Sequence, residues 1–219
     1  MPLPRVTKYL LWALAIGYLL QMMATEVALM NFALWPLGEL APEQGGGTLF
    51  RPWQLLTYAL LHGNFMHLFL NGIGLFQFGP RIEHALGEKR FIQYVLVCTV
   101  GAGLCQLLVT TMMVRSGASP FPTVGASGFI FGILLAYGAM FPHDRIMLML
   151  PPIEMSARTM VIVFGAIELL SGVTGTMQGV AHFAHLGGML FGWLLLRYWS
   201  GKPPFGKPKP RRPNLRSVN

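Results

Sequence analysis

Charged residues are scarce in this chain of 219 residues: they make up 11% of it, whereas hydrophobic residues make up 53%. A water-soluble domain carries about 25% charged residues, so this composition excludes an ordinary soluble fold. Cysteine is scarce as well, because Cys98 and Cys105 are the only two and stand in one apolar run that would form a single helix. A disulfide framework is therefore excluded. These two deficits indicate an integral membrane protein.

Acidic residues are few, since 8 Asp and Glu stand against 16 Lys and Arg for a net charge of +8. Asp144 is the only aspartate, which excludes a membrane protease with two catalytic aspartates. The zinc-protease string His-Glu-x-x-His does not occur. The basic excess lies at the chain ends and in short loops, which argues against a nucleic-acid partner.

Six apolar runs approach the length of about 20 residues that a helix needs to cross a bilayer. They cover residues 8–30, 59–79, 91–113, 125–141, 155–174 and 179–199. The dipeptide Gly79-Pro80 is typical of a break after the second run. We predict an all-α membrane protein with a six-helix bundle over residues 8–199. A short segment, 1–7, precedes the bundle, and a basic, Pro-rich tail that does not fold alone, 200–219, follows it.

The positions of Lys and Arg predict the orientation of the chain in the membrane. With the N-terminus inside, only Arg51 and Arg115 fall on the outer side, and the other 14 basic residues fall on the inner side. Both termini are therefore expected in the cytoplasm. The basic tail is expected to touch anionic lipid head groups, with a protein-binding role as the alternative.

Polar side chains within membrane spans are rare and often functional. Those that are candidates for a functional role are, in chain order, His62, His67, Asn71, Ser127, His182 and His185. His67 and Asn71 are four residues apart, so they lie on one helical face. Each residue also has a structural explanation, because a serine can bond to its own backbone and imidazoles or amides can join helices.

The length of the fourth run places Ser127 below the outer surface of the membrane. From Ser127 to Phe141 it holds 15 residues, or about 22 Å of helix, which is too short to cross the core. His185 precedes Trp199 by 14 residues, as Ser127 precedes Phe141, so the two side chains are expected at one depth. Glycines four residues apart in both runs would let the two helices approach closely.

A serine and a histidine at one depth predict nucleophilic chemistry. Histidine can take the serine proton near pH 7, which would make Ser127 a nucleophile and His185 its base. His67, Asn71 and the backbone amide of Ser127 could stabilise the negative oxygen that forms on attack. No acidic third member is evident, because Asp144 lies on the cytoplasmic side. We therefore predict a two-residue Ser–His device.

Two other membrane chemistries remain possible at this point. The four histidines in the spans could hold a metal ion. Glu168 in the fifth run is typical of a small proton- or ion-coupled transporter. The lack of an internal repeat and the unequal lengths of the runs favour the transporter less.

Three motifs stand in a fixed order along the chain. They are Gly-Ala-Ser-Gly at 125–128, preceded by His62, His67 and Asn71, and followed by Ala184-His185-Leu186-Gly187-Gly188 with Gly192. Together they resemble a bacterial rhomboid intramembrane serine protease of the six-span type, and the resemblance covers roughly residues 8–199. It implies a multi-pass protein of the bacterial inner membrane that cleaves single-span membrane proteins near the outer face, without metal or cofactor.

The resemblance also assigns roles to residues. It implies Ser127 as nucleophile, His185 as general base, and His67 and Asn71 as oxyanion donors with the Ser127 amide. The residues expected to support this site are His62, Gly125, Gly128, Phe131 and Gly188.

The sequence departs from the family pattern at three places, one of which is Glu26 at the outer end of the first run, where the sequence indicates no role. Trp53-Gln54 stands where the family has Trp-Arg, and Phe131 stands where a tyrosine is common. A rhomboid-like chaperone without catalytic activity is the alternative function.

Overall fold

Helices dominate the computed structural model, which describes residues 2–38, 49–148, 152–176 and 181–201. Within these residues the α-helices are α1 Arg5–Met23, α2 Thr25–Phe32, α3 Gln54–Thr57, α4 Phe65–Leu86, α5 Glu88–Arg115, α6 Ser127–Met140, α7 Ala157–Thr174 and α8 His182–Trp199. An antiparallel hairpin of β1 (Arg145–Met147) and β2 (Glu154–Ser156) lies between α6 and α7. The predicted helical membrane bundle is confirmed, and the hairpin is an unpredicted addition.

The first predicted run, residues 8–30, is wrong as a single helix. The helix starts earlier, at Arg5, and ends at Met23, because Ala24 leaves helical geometry with φ −150° and ψ 62°. The second helix then places Glu26 in its first turn, where a negative charge favours the positive end of the helix dipole. This position gives Glu26 a local structural role that the sequence did not indicate.

The second predicted run, residues 59–79, is displaced along the chain. The helix α4 begins later because the Asn64 side chain accepts the His67 N–H at 2.8 Å and caps the N-terminus. It then continues through Pro80 to Leu86, so the predicted break at Gly79-Pro80 is wrong. Proline is tolerated in a membrane helix where neighbouring groups satisfy the freed backbone.

Among the residues that the structure describes, three helices, α1, α5 and α7, are long and apolar enough to cross a membrane by length and composition. The helix α6 is apolar but has only 14 residues, in agreement with the short fourth run predicted from the sequence. Large apolar side chains cover the outside of the bundle, among them Trp12, Leu70 and Val173. Such a surface is suited to lipid rather than to water. The predicted tail beyond Gly201 lies outside the described residues.

The short helix α6 lies at the centre of the bundle and packs against α4, α5, α7 and α8. Eight of its 14 residues are buried. A buried carboxylate links α4 to the start of α1: Glu83 on α4 accepts the backbone N–H groups of Val6 and Thr7 at 2.9 and 2.7 Å. It also accepts the Thr7 hydroxyl at 2.7 Å. These bonds supply acceptors for N–H groups that the start of α1 leaves unpaired.

Candidate active site

The loop before Ser127 is extended and is fixed by backbone hydrogen bonds. Thr123 exchanges two backbone bonds of 2.9 Å with Leu34, which follows α2. The Gly125 N–H donates to the Tyr58 carbonyl oxygen at 2.9 Å. Non-helical backbone is tolerated within a membrane protein when its polar groups are satisfied in this way. The loop therefore delivers Ser127 to the first position of α6 in a defined orientation.

Gly125 is required where the loop passes the α4 helix. Its φ of 125° disfavours any residue with a side chain, and a Cβ there would lie 2.6 Å from Cε1 of His67. The same Cβ position lies 3.7 Å from the Ser127 hydroxyl oxygen. The His67 ring and the Ser127 hydroxyl thus flank one glycine.

Ser127 and His185 are in direct contact, although they come from different helices. The distance between Ser127 Oγ and His185 Nε2 is 2.7 Å, which is a hydrogen bond between α6 and α8. The Phe131 ring stacks flat on the His185 ring, with centroids 4.2 Å apart and planes inclined by 2°. His185 is 7% exposed, so its ring is held on one face by an aromatic and screened from solvent.

Two glycines explain how these helices come close enough for that bond. A Cβ on Gly188 of α8 would overlap the carbonyl oxygen of Gly128 on α6. A Cβ on Gly132 of α6 would in turn lie 3.1 Å from the carbonyl oxygen of Gly188. Small residues at both positions let the two backbones pack against each other, as the glycine spacing predicts.

Asn71 and His62 lie buried near the start of α4. The Asn71 side chain is 6% exposed, and its Nδ2 has no hydrogen-bond partner among the described residues. The His62 ring packs edge-on against His67 with centroids 5.1 Å apart. Gln21 of α1 holds the His62 backbone, since it accepts the His62 N–H at 2.9 Å and donates to the His62 carbonyl at 2.8 Å. A polar Gln21 inside an apolar run was the sequence signal for this contact.

The expectation that no acidic residue accompanies the Ser–His pair is wrong. Glu168 of α7 places Oε2 2.9 Å from Nδ1 of His185 and 2.6 Å from Nδ1 of His182. All three residues are buried. Asp144, the acidic residue considered from the sequence, is engaged elsewhere, with its Oδ2 3.2 Å from Arg81. Glu168 was visible as a glutamate within the fifth run, but its partners depend on how α7 packs on α8.

The same cluster has the composition of a metal-ligand set. Glu168, His182 and His185 each offer one ligand atom, and these atoms lie within 4.8 Å of one another. Histidine and carboxylate are the ligands of many catalytic zinc sites. Here two of the ligand atoms, Glu168 Oε2 and His182 Nδ1, form a short hydrogen bond with each other.

Gln54, which stands where the family has an arginine, makes several hydrogen bonds to the backbone around it. The side chain is fully buried, and its Oε1 accepts the backbone N–H groups of Trp35 and Arg51 at 3.3 and 3.2 Å. Its Nε2 lies at 3.4 Å from the Leu49 carbonyl oxygen and at 3.5 Å from that of Asn31. The loop between α2 and α3 is therefore held by an amide that both donates and accepts.

The family is established by comparison with known proteins. The Rhomboid domain matches residues 50–202, which include every site residue predicted from the sequence. The chain belongs to the rhomboid family.

Three relatives illustrate the range of the match. The chain is 28% identical to Rhomboid protein 1, mitochondrial, of Saccharomyces cerevisiae, over 64% of this chain and 41% of that protein. It is 28% identical to Rhomboid protease GluP of Bacillus subtilis over 64% of this chain and 25% of that protein. It is 23% identical to Rhomboid protease GlpG of Yersinia pseudotuberculosis over 83% of this chain and 58% of that protein. The aligned region is less than two thirds of the length of each of these relatives.

Proposed function

We propose that this chain is an intramembrane serine endopeptidase with Ser127 as nucleophile and His185 as general base. The observation that carries the proposal is the 2.7 Å contact between Ser127 Oγ and His185 Nε2 within a buried site of a rhomboid-family chain. Two relatives named as rhomboid proteases support the same class of activity.

The geometry supports acyl transfer in two steps. In the first, Ser127 Oγ bonds to the scissile carbonyl carbon while its proton moves to Nε2 of His185. The protonated His185 then gives that proton to the leaving amine as the C–N bond breaks. Water repeats the sequence on the acyl-enzyme and restores the serine. Phe131 keeps the imidazole ring in the plane that both proton transfers need.

The negative oxygen that forms on attack would be stabilised by groups around the start of α6. The amides of the first turn, which begins at Ser127, have no acceptor within the helix and lie at the positive end of its dipole. Asn71 contributes an unpaired buried amide donor. The His67 ring lies against Gly125, with Nε2 2.7 Å from the position that a Cβ would take, and would supply a ring N–H. These are the donor types that oxyanion holes use.

The proposed substrates are single-span membrane proteins that are cleaved near the outer face of a bacterial inner membrane. Along their described lengths the helices α4 and α7 make few contacts or none, which would leave a lateral path from lipid towards Ser127. The excess of basic residues in the inner loops supports cytoplasmic termini. The basic tail would then lie beside anionic lipids. We propose no nucleic-acid partner, metal or cofactor.

The activity is tested with purified protein in liposomes and a labelled single-span substrate. Wild type should release the two fragments of the substrate, and Ser127→Ala and His185→Ala should each abolish release while they keep the wild-type unfolding temperature. Ser116→Ala, at an exposed serine after α5, serves as the matched control and should cleave normally. The reaction should proceed in the presence of a chelator.

Three outcomes would contradict the proposal. Cleavage by Ser127→Ala at the wild-type rate would exclude the nucleophile. Loss of activity with a chelator and recovery with zinc would favour a metalloprotease. A wild-type protein that binds the substrate without cleaving it would favour the membrane chaperone.

A further inference from the structure

A buried carboxylate lies directly behind the candidate base. Ser127, His185 and Glu168 come from α6, α8 and α7, and they form a line of contacts of 2.7 and 2.9 Å through the two nitrogens of the imidazole ring. Serine on one ring nitrogen and carboxylate on the other is the arrangement of a three-membered nucleophilic site. The two-residue device predicted from the sequence does not include this third group.

The protons of the cluster can be assigned from its partners. For Nε2 of His185 to accept the Ser127 hydroxyl proton, the ring proton must reside on Nδ1, which faces Glu168. His182 contacts the same Oε2 through Nδ1 at 2.6 Å and the Thr176 carbonyl oxygen through Nε2 at 3.2 Å. His182 thus shares Oε2 of Glu168 with His185 and is held on its other side by a backbone carbonyl. A histidine that acts as a base has a single ring proton, and in His185 that proton would point from Nδ1 to Glu168.

We propose that Glu168 is a positioning residue that holds His185 in the Nδ1–H tautomer and stabilises the imidazolium that forms when His185 takes the Ser127 proton. The inference rests on the proposed protease function and adds to it. Glu168 keeps its charge throughout: the proton moves from Ser127 Oγ to His185 Nε2 and then to the leaving amine. No proton is transferred to the carboxylate, and no further reactant is needed.

The geometry of the contact between Glu168 and His185 is compatible with this role. The distance of 2.9 Å between His185 Nδ1 and Glu168 Oε2 is short, but the pair is not aligned as a hydrogen bond. Both histidines compete for one oxygen, and His182 holds the shorter contact. Catalytic hydrogen bonds are often poorly aligned in a free enzyme and become aligned when substrate is bound. We expect His185 to gain this bond as positive charge develops on its ring.

The test compares two buried glutamates that receive the same substitution. Glu168→Gln removes the charge behind His185, whereas Glu83→Gln removes the charge that caps α1, near the end of α4 opposite to His67. The turnover number kcat and the KM are measured together with the unfolding temperature of each variant. Glu168→Gln should lower kcat by at least about tenfold, towards the roughly 10⁴-fold loss known when a triad histidine adopts the wrong tautomer. Its KM should stay within about twofold of wild type.

The control and the conservative variant separate positioning from folding. Glu83→Gln should lower the unfolding temperature but keep kcat within about twofold, measured well below its unfolding transition. Glu168→Asp restores the charge and should regain part of the activity that Glu168→Gln loses. A kcat of Glu168→Gln within twofold of wild type, beside an inactive Ser127→Ala, would overturn the inference and leave the protease function intact. An active Ser127→Ala would instead overturn the protease function.

A second measurement uses the unsubstituted protein, in case Glu168→Gln does not fold. Nitrogen-15 NMR of labelled histidine, with His185 assigned by loss of its signals in His185→Ala, reports which ring nitrogen carries the proton. We expect the proton of His185 on Nδ1, and a proton on Nε2 alone would overturn the inference. Inhibition by a chelator with recovery in zinc would overturn it as well, in favour of a metal bound by the same three residues.

Discussion

Gly188 on α8 lies so close to Gly128 on α6 that a Cβ on Gly188 would overlap the Gly128 carbonyl oxygen. The atom in the way belongs to the backbone, so a side-chain rotation cannot relieve the overlap. Because Gly128 directly follows Ser127 and Gly188 lies one turn after His185, this approach also sets the distance between the two candidate catalytic side chains. The packing of α8 on α6 and the proposed chemistry of Ser127 and His185 therefore both depend on the contact between Gly128 and Gly188.

Gly188→Ala should separate the two helices. Overpacking of this kind typically costs about 1–3 kcal/mol, and a shift of about 1 Å at the site can lower turnover on the order of a hundredfold. The unfolding temperature and kcat are measured together. Gly165→Ala is the matched control, because its Cβ would meet the flexible end of Met189 at an ordinary 3.4 Å. Equal behaviour of the two variants would contradict the role of the close approach.

Asn71→Ala should affect turnover more than stability. Since Asn71 Nδ2 has no partner among the described residues, its removal deletes no observed interhelical bond. Loss of one oxyanion donor costs on the order of 3 kcal/mol, which is roughly a hundredfold or more in kcat. A glue-like interhelical bond would be worth only about 0.6 kcal/mol. Gln77→Ala, an amide on the same helix that donates to the Met147 carbonyl, is the control. A stable Asn71→Ala that turns substrate over like wild type would remove Asn71 from the mechanism.

Gln54→Leu should destabilise the loop between α2 and α3. The change leaves the N–H groups of Trp35 and Arg51 without their acceptor in a partly buried setting, at a cost near the lower end of about 1–3 kcal/mol for each unsatisfied group. Thermal unfolding measures the loss. Gln93→Leu, the same change at an exposed position on α5, should unfold like wild type. An unchanged unfolding temperature for Gln54→Leu would show that these bonds contribute nothing.

His182→Ala should retain a measurable fraction of the activity, whereas His185→Ala should retain none. His182 binds Glu168 and the Thr176 carbonyl, and of the two histidines it is His185 that contacts the Ser127 hydroxyl. Cleavage rates of both variants are compared at temperatures where both are folded. An essential His182 beside a dispensable His185 would reverse the assignment of the base.

The sequence predicted the meeting of Ser127 and His185 because helix length and glycine spacing constrain depth and approach. Helix length and glycine spacing each depend only on the number of residues within a run. Both can therefore be obtained by counting along the sequence. The shortness of α6 in particular follows from Pro142 two residues after its end. These parts of the candidate site can therefore be predicted from the sequence alone, whereas the catalytic roles themselves stay a proposal.

The sequence could not predict the contacts that depend on how separate helices rotate about their axes. Glu168 and His185 are 17 residues apart on two helices, and no spacing rule links them. The break at Ala24 lacks glycine or proline, so no local signal indicated it. Pro80 led to the opposite error. A proline usually ends a helix, but α4 continues through Pro80 to Leu86, as membrane helices can.

The stacking of Phe131 on His185 predicts a catalytic effect that is separate from packing. The rings lie parallel with centroids 4.2 Å apart, so the phenyl ring limits rotation of the imidazole away from Ser127. An aromatic pair of this kind is worth about 0.5–1.5 kcal/mol, which corresponds to roughly a twofold to tenfold effect on rate. Phe131→Leu should therefore lower kcat by that factor, and Phe131→Tyr should keep wild-type turnover because it keeps the ring.

Phe129→Leu separates this effect from a general loss of core packing. Phe129 lies on the same helix and is 3% exposed in the main hydrophobic core, so its truncation should lower the unfolding temperature more than kcat. Steady-state cleavage and thermal unfolding are measured for the three variants in one membrane mimic. If Phe131→Leu and Phe129→Leu lose turnover and stability in the same proportion, the Phe131 ring acts through packing and not through the orientation of His185.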